Sequence, residues 1–109
     1  MHNMTSEMKA CIDECLGCYQ SCITTALQHC LIAGGKHVEP MHFRLMLACS
    51  EICRTSAHFI LLGSEHHKHV CKECAELCEE CANSCDEIGG MDDCANKCRE
   101  CAASCRSMI

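Results

Sequence analysis

Cysteines recur at alternating steps of three and four residues along three stretches of this sequence. This period places side chains on one face of an α-helix, and a β-strand, whose side chains alternate at every residue, does not produce it. The same steps mark the a and d positions that the helices of a bundle turn toward one another. Thirteen cysteines follow the pattern, namely Cys11, Cys15, Cys18, Cys22, Cys71, Cys74, Cys78, Cys81, Cys85, Cys94, Cys98, Cys101 and Cys105. The pattern therefore predicts helices that pack together through their cysteines.

Helix-breaking residues divide the chain into four segments. Gly34-Gly35 followed by Pro40, and then Gly63-Ser64 and Gly89-Gly90, are typical of helix ends. The predicted helices run from Thr5 to Ala33, from Pro40 to Leu62, from Glu65 to Ile88 and from Met91 to Ser107. Short loops make sequential helices antiparallel neighbours. We therefore expect an all-α fold, an antiparallel up-down-up-down four-helix bundle with a cysteine-lined core, formed by residues 1–109 as a single domain.

Regular helical geometry extends the cysteine stripe beyond these positions. After Cys22 it predicts Thr25 and His29 on the same line, whereas Cys30 lies about 80° away around the helix. In the second segment the line carries His42, Met46, Cys49, Cys53 and Ile60. A second apolar line, one residue after the cysteines of the first segment, comprises Ile12, Leu16, Tyr19, Ile23 and Leu27. A helix that is apolar on two sides favours contact with another subunit, so we expect a homo-oligomer.

Composition and charge exclude several classes of protein. The 109 residues carry a formal net charge of −6 without a basic patch, so nucleic acid is not an expected partner. No run approaches the roughly 18 apolar residues of a membrane-spanning helix, so no membrane is expected either. The first residues have neither the charged nor the apolar region of a secretory signal, which predicts a cytoplasmic protein. Thiols stay reduced in the cytoplasm, so 16 cysteines favour metal binding over a disulfide framework.

Simple packing, disulfide bonding and iron–sulfur ligation each fit the cysteine pattern less well. Cysteine can pack as a small apolar residue, but the nine cysteines from Cys71 onward would leave a poorly filled interior. Disulfide-bonded helical hairpins carry a few paired cysteines on two helices, whereas stripes on three helices offer many competing partners. The spacing of Cys71, Cys74 and Cys78 loosely resembles a ferredoxin, but the compact run that ends in Cys-Pro is missing. A thiolate metal site is therefore the favoured interpretation.

The choice of metal rests on the softness of the thiolate ligands and on the net charge of the metal–thiolate complex. Thiolates prefer Cu(I), Zn(II) and iron–sulfur clusters to hard cations. Tetrahedral zinc needs four ligands per ion, and zinc–thiolate clusters keep a negative charge that a low-dielectric interior resists. Cu(I) accepts two or three thiolates, and a one-to-one copper–thiolate chain is neutral. The residues thus favour storage of many Cu(I) ions, with a zinc-buffering protein similar to metallothionein as an alternative. A thiol oxidoreductase is a further alternative, but the sequence has no catalytic motif and we expect no enzyme.

From Cys11 through Cys105, and including the closing Cys101-Ala-Ala-Ser-Cys105, the chain resembles the bacterial copper storage proteins. The resemblance implies a cytosolic four-helix bundle that binds many Cu(I) ions and associates into tetramers. It also implies that the thirteen stripe cysteines, together with Cys49 and Cys53, are copper ligands. Cys30 is added to this set although it lies off the stripe. The second segment departs from the pattern after Cys53, where Ser56, Ala57 and Ile60 continue the line, so fewer ligands are expected there.

The predicted topology also collects softer donors at the bundle ends. The end that joins the first and second segments brings together Cys30, Met91 and five candidate ligands, His29, His37, Met41, His42 and Met46. Thioether and imidazole bind Cu(I) more weakly than thiolate does, which suits a mouth where ions arrive and move inward. The opposite end gathers Met4, Met8, Ile60, Cys105 and Met108. It is more apolar and is expected to be closed, although its methionines could also bind copper.

Overall fold

The computed structural model describes residues 4–109, and within that range the chain forms four long helices and no β-strand. Helix α1 (Ser6–Thr24) continues through a π-helical segment (Thr25–Cys30) and a last α-helical turn (Leu31–Ala33). A 3₁₀ turn (Gly35–Val38) leads into α2 (Pro40–Leu62). The chain then forms α3 (His67–Ile88) and α4 (Asp92–Arg106). The predicted all-α class and its four segments are thereby confirmed.

Side-chain caps explain where α1 and α2 begin. The Thr5 hydroxyl accepts a hydrogen bond from the Met8 backbone N–H at 3.1 Å. The Glu39 carboxylate accepts from the N–H groups of Met41 and His42, at 3.1 and 3.0 Å. These acceptors satisfy donors that have no partner within the helix. At the other end of α2, Gly63 adopts a left-handed conformation with φ of 71°, which stops the helix because residues with a Cβ rarely adopt it.

The four helices enclose one narrow core. α1 packs against α2 and α4, and α3 packs against the same two helices, so the bundle closes as a ring about 47 × 19 × 19 Å in extent. Four buried alanines each follow a cysteine on α3 and α4, namely Ala75, Ala82, Ala95 and Ala102. Helix separation depends on the side chains at the contact, so alanine brings these helices close together. Close approach and sulfur atoms fill the space that long aliphatic side chains occupy in an ordinary bundle.

The π-helical segment changes the register of the cysteine stripe. The structure buries Ala26 and Cys30 and leaves His29 exposed, so the prediction that Thr25 and His29 continue the stripe was wrong. The Leu31 N–H donates to the Ala26 carbonyl, five residues earlier. Such bonds hold more residues in each turn, so each residue advances by less than the 100° of an α-helix. This slower advance returns Cys30 to the core.

Helix α2 has a high mean hydropathy. By length and composition it could cross a membrane, since an 18-residue window within Pro40–Leu62 has a mean hydropathy of 1.3. This value is an average over a window that includes Glu51 and Arg54, so the helix still contains no continuous run of about 18 apolar residues. Core helices of soluble proteins also pass this test, and α2 buries Met46, Cys49 and Cys53 against the other helices. Its hydropathy alone does not indicate a membrane span.

Candidate metal centre

All sixteen cysteines lie inside the bundle. None is more than 2% exposed, and every one is a free thiol. The stripes of α1, α3 and α4 face one another, as their period predicts, and Cys49 and Cys53 of α2 complete the ring. Four helix faces therefore bring their sulfur atoms to a common axis.

The spacing of the sulfur atoms suits shared metal ions. Between helices, the Sγ atoms of Cys22 and Cys98 lie 3.5 Å apart and those of Cys15 and Cys105 lie 3.6 Å apart. Within α1, Cys18 and Cys22 are 3.9 Å apart. A disulfide bond is about 2.05 Å long, so these are separate thiols. Two thiolates bound tetrahedrally to one ion at about 2.3 Å lie roughly 3.8 Å apart, which is close to the observed spacing.

Five groups of thiols follow one another along the axis, and we call this series the thiol ladder. Within each group all Sγ atoms lie within 4.8 Å of one another. In order, the groups are Cys11/Cys71/Cys105, Cys15/Cys74/Cys101/Cys105, Cys53/Cys74/Cys78/Cys101, Cys18/Cys49/Cys53/Cys78 and Cys18/Cys22/Cys49/Cys98. Each group shares one or two cysteines with the next. Cys94 extends the series, since its Sγ lies 3.7 Å from that of Cys22.

Neighbouring thiols shift each other's pKa in opposite directions. Hydrogen bonds from Cys105 and Cys15 lower the pKa of the Cys101 thiol to about 7, because they stabilise its thiolate. The bond to Cys101 in turn raises the pKa of Cys105, and burial raises it further. The metal-free ladder therefore combines thiols whose pKa is lowered with neighbours whose pKa is raised. Bound cations would replace the protons of these thiols and balance the charge of the thiolates.

Cys30 lies in a separate group of soft donors, which we call the Cys30 cluster. Its Sγ lies 3.7 Å from the Met46 sulfur, 3.6 Å from the Met91 sulfur and 4.0 Å from His37 Nδ1. Burial raises the pKa of the Cys30 thiol. One thiol, two thioethers and an imidazole thus meet at the end of the bundle that joins α1 to α2. The sequence placed all four residues at this end but did not include Met91 among the candidate ligands.

His42 is buried near the same end and is held by Ser84, a residue that the sequence did not single out. Its Nδ1 lies 2.7 Å from the Ser84 hydroxyl oxygen, whereas its buried Nε2 has no hydrogen-bonding partner among the described residues. Burial lowers the pKa of His42, which favours the neutral ring. A neutral imidazole nitrogen without a partner can bind a metal ion. Ser84 precedes Cys85 on α3, and no sequence signal links it to His42.

The two other candidate ligands are closer to solvent. His29 is exposed, and its ring meets that of His37 edge to face, with centroids 5.0 Å apart. His29, Met91 and Cys94 help to line a cavity of about 470 Å³. Met41 is 71% exposed. The structure thus brings His29 next to the Cys30 cluster and leaves Met41 on the surface.

The departure of α2 from the cysteine stripe is visible as a gap in the ladder. Ser56, three residues after Cys53, is fully buried, and its hydroxyl has no hydrogen-bonding partner among residues 4–109. Ala57 and Ile60 fill the adjoining core positions. This part of the core therefore receives its sulfur atoms from three helices instead of four.

Comparisons with known proteins agree with this geometry. The family model described as copper storage protein, Csp, matches residues 4–109. No curated protein sequence matches the chain. The Nmul_A1745 protein from Nitrosospira multiformis is 52% identical, with a TM-score of 0.92 over 94% of each chain.

Two further solved structures carry descriptions that name copper storage. The Cu(I)-bound copper storage protein BsCsp3 is 30% identical, with a TM-score of 0.86 over 94% of this chain and 98% of its own. The metal-free Csp3 from Bacillus subtilis is 31% identical, with a TM-score of 0.76 over 92% of this chain and 96% of its own. The similarity thus extends over nearly the whole length of each protein.

Proposed function

Because this chain belongs to the copper storage protein family, we propose that it forms a single copper-binding domain in which all sixteen cysteines are ligands. The protein stores multiple Cu(I) ions through thiolates that line the bundle interior. It thereby keeps a reactive ion away from the rest of the cell. The observation that carries this conclusion is the thiol ladder, whose consecutive groups share their cysteines.

Shared ligands favour Cu(I) over zinc. Cu(I) accepts two or three thiolates and a thiolate can bridge two ions, so the ladder has room for about one Cu(I) per cysteine. A chain of that composition is neutral and buries no net charge. Four-coordinate zinc would place surplus negative charge at the bundle axis. Among the buried residues that the structure describes, His42 is the one basic side chain, and burial lowers its pKa. No buried cation would therefore balance the negative charge of a zinc–thiolate cluster.

We further propose that copper arrives at the end that carries the Cys30 cluster. The thiol of Cys30 and the thioether of Met46 would receive the ion, together with His37 and the buried Nε2 of His42. His29 and the exposed Met41 would act earlier, as outer ligands. Ions held by thioether and imidazole exchange more readily than ions held by several thiolates, which favours movement inward to Cys94 and Cys22.

An anaerobic titration tests the storage function directly. Cu(I) is added to the reduced protein in the presence of a competing chelator, and bound copper is measured by elemental analysis. We expect more than about ten tightly bound ions per chain, because each thiolate can serve two ions. A variant with serine in place of the ladder cysteines should bind almost none. Saturation near four ions, with zinc displacing copper at equal concentration, would support the zinc-buffering alternative instead.

Burial of the cysteines argues against thiol–disulfide catalysis. Such chemistry needs an accessible thiolate that can attack a disulfide in another molecule. No cysteine of this chain is more than 2% exposed. We therefore infer a storage role without catalysis. An insulin reduction assay on the metal-free protein checks this, and appreciable turnover would contradict it.

We also propose a cytoplasmic homo-oligomer, a tetramer by analogy with the family. Leu27, Leu31 and Ile32 are 47%, 55% and 83% exposed on one end of the first helix, which favours burial against another copy. The cytoplasm keeps thiols reduced, as Cu(I) storage requires. The net charge of −6 disfavours nucleic acid as a partner, and the buried face of α2 disfavours insertion into a membrane. Light scattering on the purified protein measures the subunit number.

A further inference from the structure

The end of the bundle opposite the Cys30 cluster carries soft donors of its own beyond the buried thiols. It holds a cavity of about 480 Å³ lined by Met4, Met8 and His67, together with the last residues of α2. The outermost group of the thiol ladder at this end is Cys11/Cys71/Cys105. Two thioethers and an imidazole therefore line a cavity beyond the last thiols, which are themselves fully buried.

Helix geometry aligns these donors with the ladder. Met8 precedes Cys11 by three residues and His67 precedes Cys71 by four. Residues three or four apart lie on the same face of a helix, so each donor lies one turn outward from a terminal thiol. The cap by Thr5 fixes the first turn of α1, and Met4 directly precedes that cap. Donors from α1 and α3 thus extend two of the stripes outward.

The ring of His67 is held by a hydrogen bond to the backbone. Its Nδ1 lies 2.7 Å from the Ser64 carbonyl oxygen, which can only accept a hydrogen bond. Nδ1 therefore carries a proton, so in the neutral tautomer the free lone pair lies on Nε2. The ring is half-buried and lines the cavity. Glu65 and Lys68 line it as well, and their opposite charges leave little net repulsion for a cation.

We propose that Met4, Met8 and His67 form a second Cu(I) site, through which ions exchange between the solvent and this end of the ladder. The proposal rests on the proposed storage function. Neutral donors leave the positive charge on the ion, whereas a thiolate cancels it, so the ion is held more weakly at the cavity than in the ladder. On inward transfer the bonds to thioether and imidazole break, a bond to a thiol sulfur forms, and the thiol proton passes to water.

NMR of the full chain labelled with ¹³C at the methionine methyl groups tests this site. Cu(I) is added anaerobically until the protein is saturated, and signals are assigned with single methionine-to-leucine variants. We expect the Met4 and Met8 methyl signals to shift on binding. In His67→Gln, the free Cu(I) concentration at which half of the shift is reached should be about tenfold higher. This change corresponds to a loss of about 1.4 kcal/mol of binding free energy. His66→Gln is the matched control, because His66 is exposed and does not line the cavity.

Each outcome bears on the proposal. Saturation of the ladder without a shift of either methyl signal would overturn the second site and leave the storage function intact. An equal shift in both histidine variants would also overturn it, because the signals would then report copper on Cys11. Failure of the wild-type protein to bind copper would overturn the storage function itself. Met8→Leu, which keeps the apolar volume, should weaken the Met4 shift as well, and helical content measured alongside confirms that each variant is folded.

Discussion

Replacing the two cysteines that connect the middle of the ladder should remove more copper than their number suggests. Cys74 and Cys101 both belong to two consecutive groups, so the double variant Cys74→Ser/Cys101→Ser removes half of the thiols of each. In a one-to-one chain each thiolate bridges two ions, so two thiolates support up to four. We therefore expect a loss of more than two and up to about four Cu(I) ions per chain, rather than the two or so expected if each cysteine held one ion independently.

Cys81→Ser/Cys85→Ser is the matched control for this experiment. Both residues are as deeply buried as Cys74 and Cys101, with at most 1% exposure, but neither belongs to any of the five groups. Each buried serine costs about 1–3 kcal/mol of stability where its hydroxyl lacks a partner, and this cost affects both double variants. Anaerobic titration against a chelator gives the capacities, and circular dichroism checks folding. Equal losses from the two pairs would refute the argument from shared ligands.

Four further outcomes are expected. The metal-free protein should already be largely helical by circular dichroism, with little gain on Cu(I) loading, because helix formers and the apolar line on α1 do not depend on metal. Cys30→Ser should slow the uptake of the first ions in stopped-flow measurements while lowering the total capacity by only about one ion. The pair Leu27→Glu/Leu31→Glu should dissociate the oligomer in light scattering without changing copper capacity, because both side chains are exposed in the isolated chain. Glu39→Ala should lower the thermal stability of the metal-free protein, because it removes the cap of α2. The backbone N–H groups of His42 and Met41 lower the pKa of the Glu39 carboxyl. The stabilisation by this carboxylate is therefore present at neutral pH and is lost as the pH falls through the lowered pKa.

The sequence predicted the helices and most of the core correctly because both depend on local rules. Steps of three and four residues define a helix face regardless of what packs on it, and Gly63 and Pro40 interrupt the backbone through their own conformational limits. The prediction of core positions failed where the first helix changes from α-helical to π-helical geometry. The π-helical segment from Thr25 to Cys30 has no signature in the spacing, so the register that buries Cys30 instead of His29 was not foreseen.

By itself, the sequence determined that this chain is helical, that its cysteines share one face of each helix, and that a soft metal is the expected occupant of the core. These properties follow from residue type and helical period. Only the tertiary structure decided which thiols from different helices meet, that Ser84 holds His42, and that Met8 and His67 line a cavity. Such contacts join residues far apart in the chain, and they depend on how each helix is rotated and displaced along its neighbours. No local pattern encodes that rotation, because it is set by the packing of all four helices together.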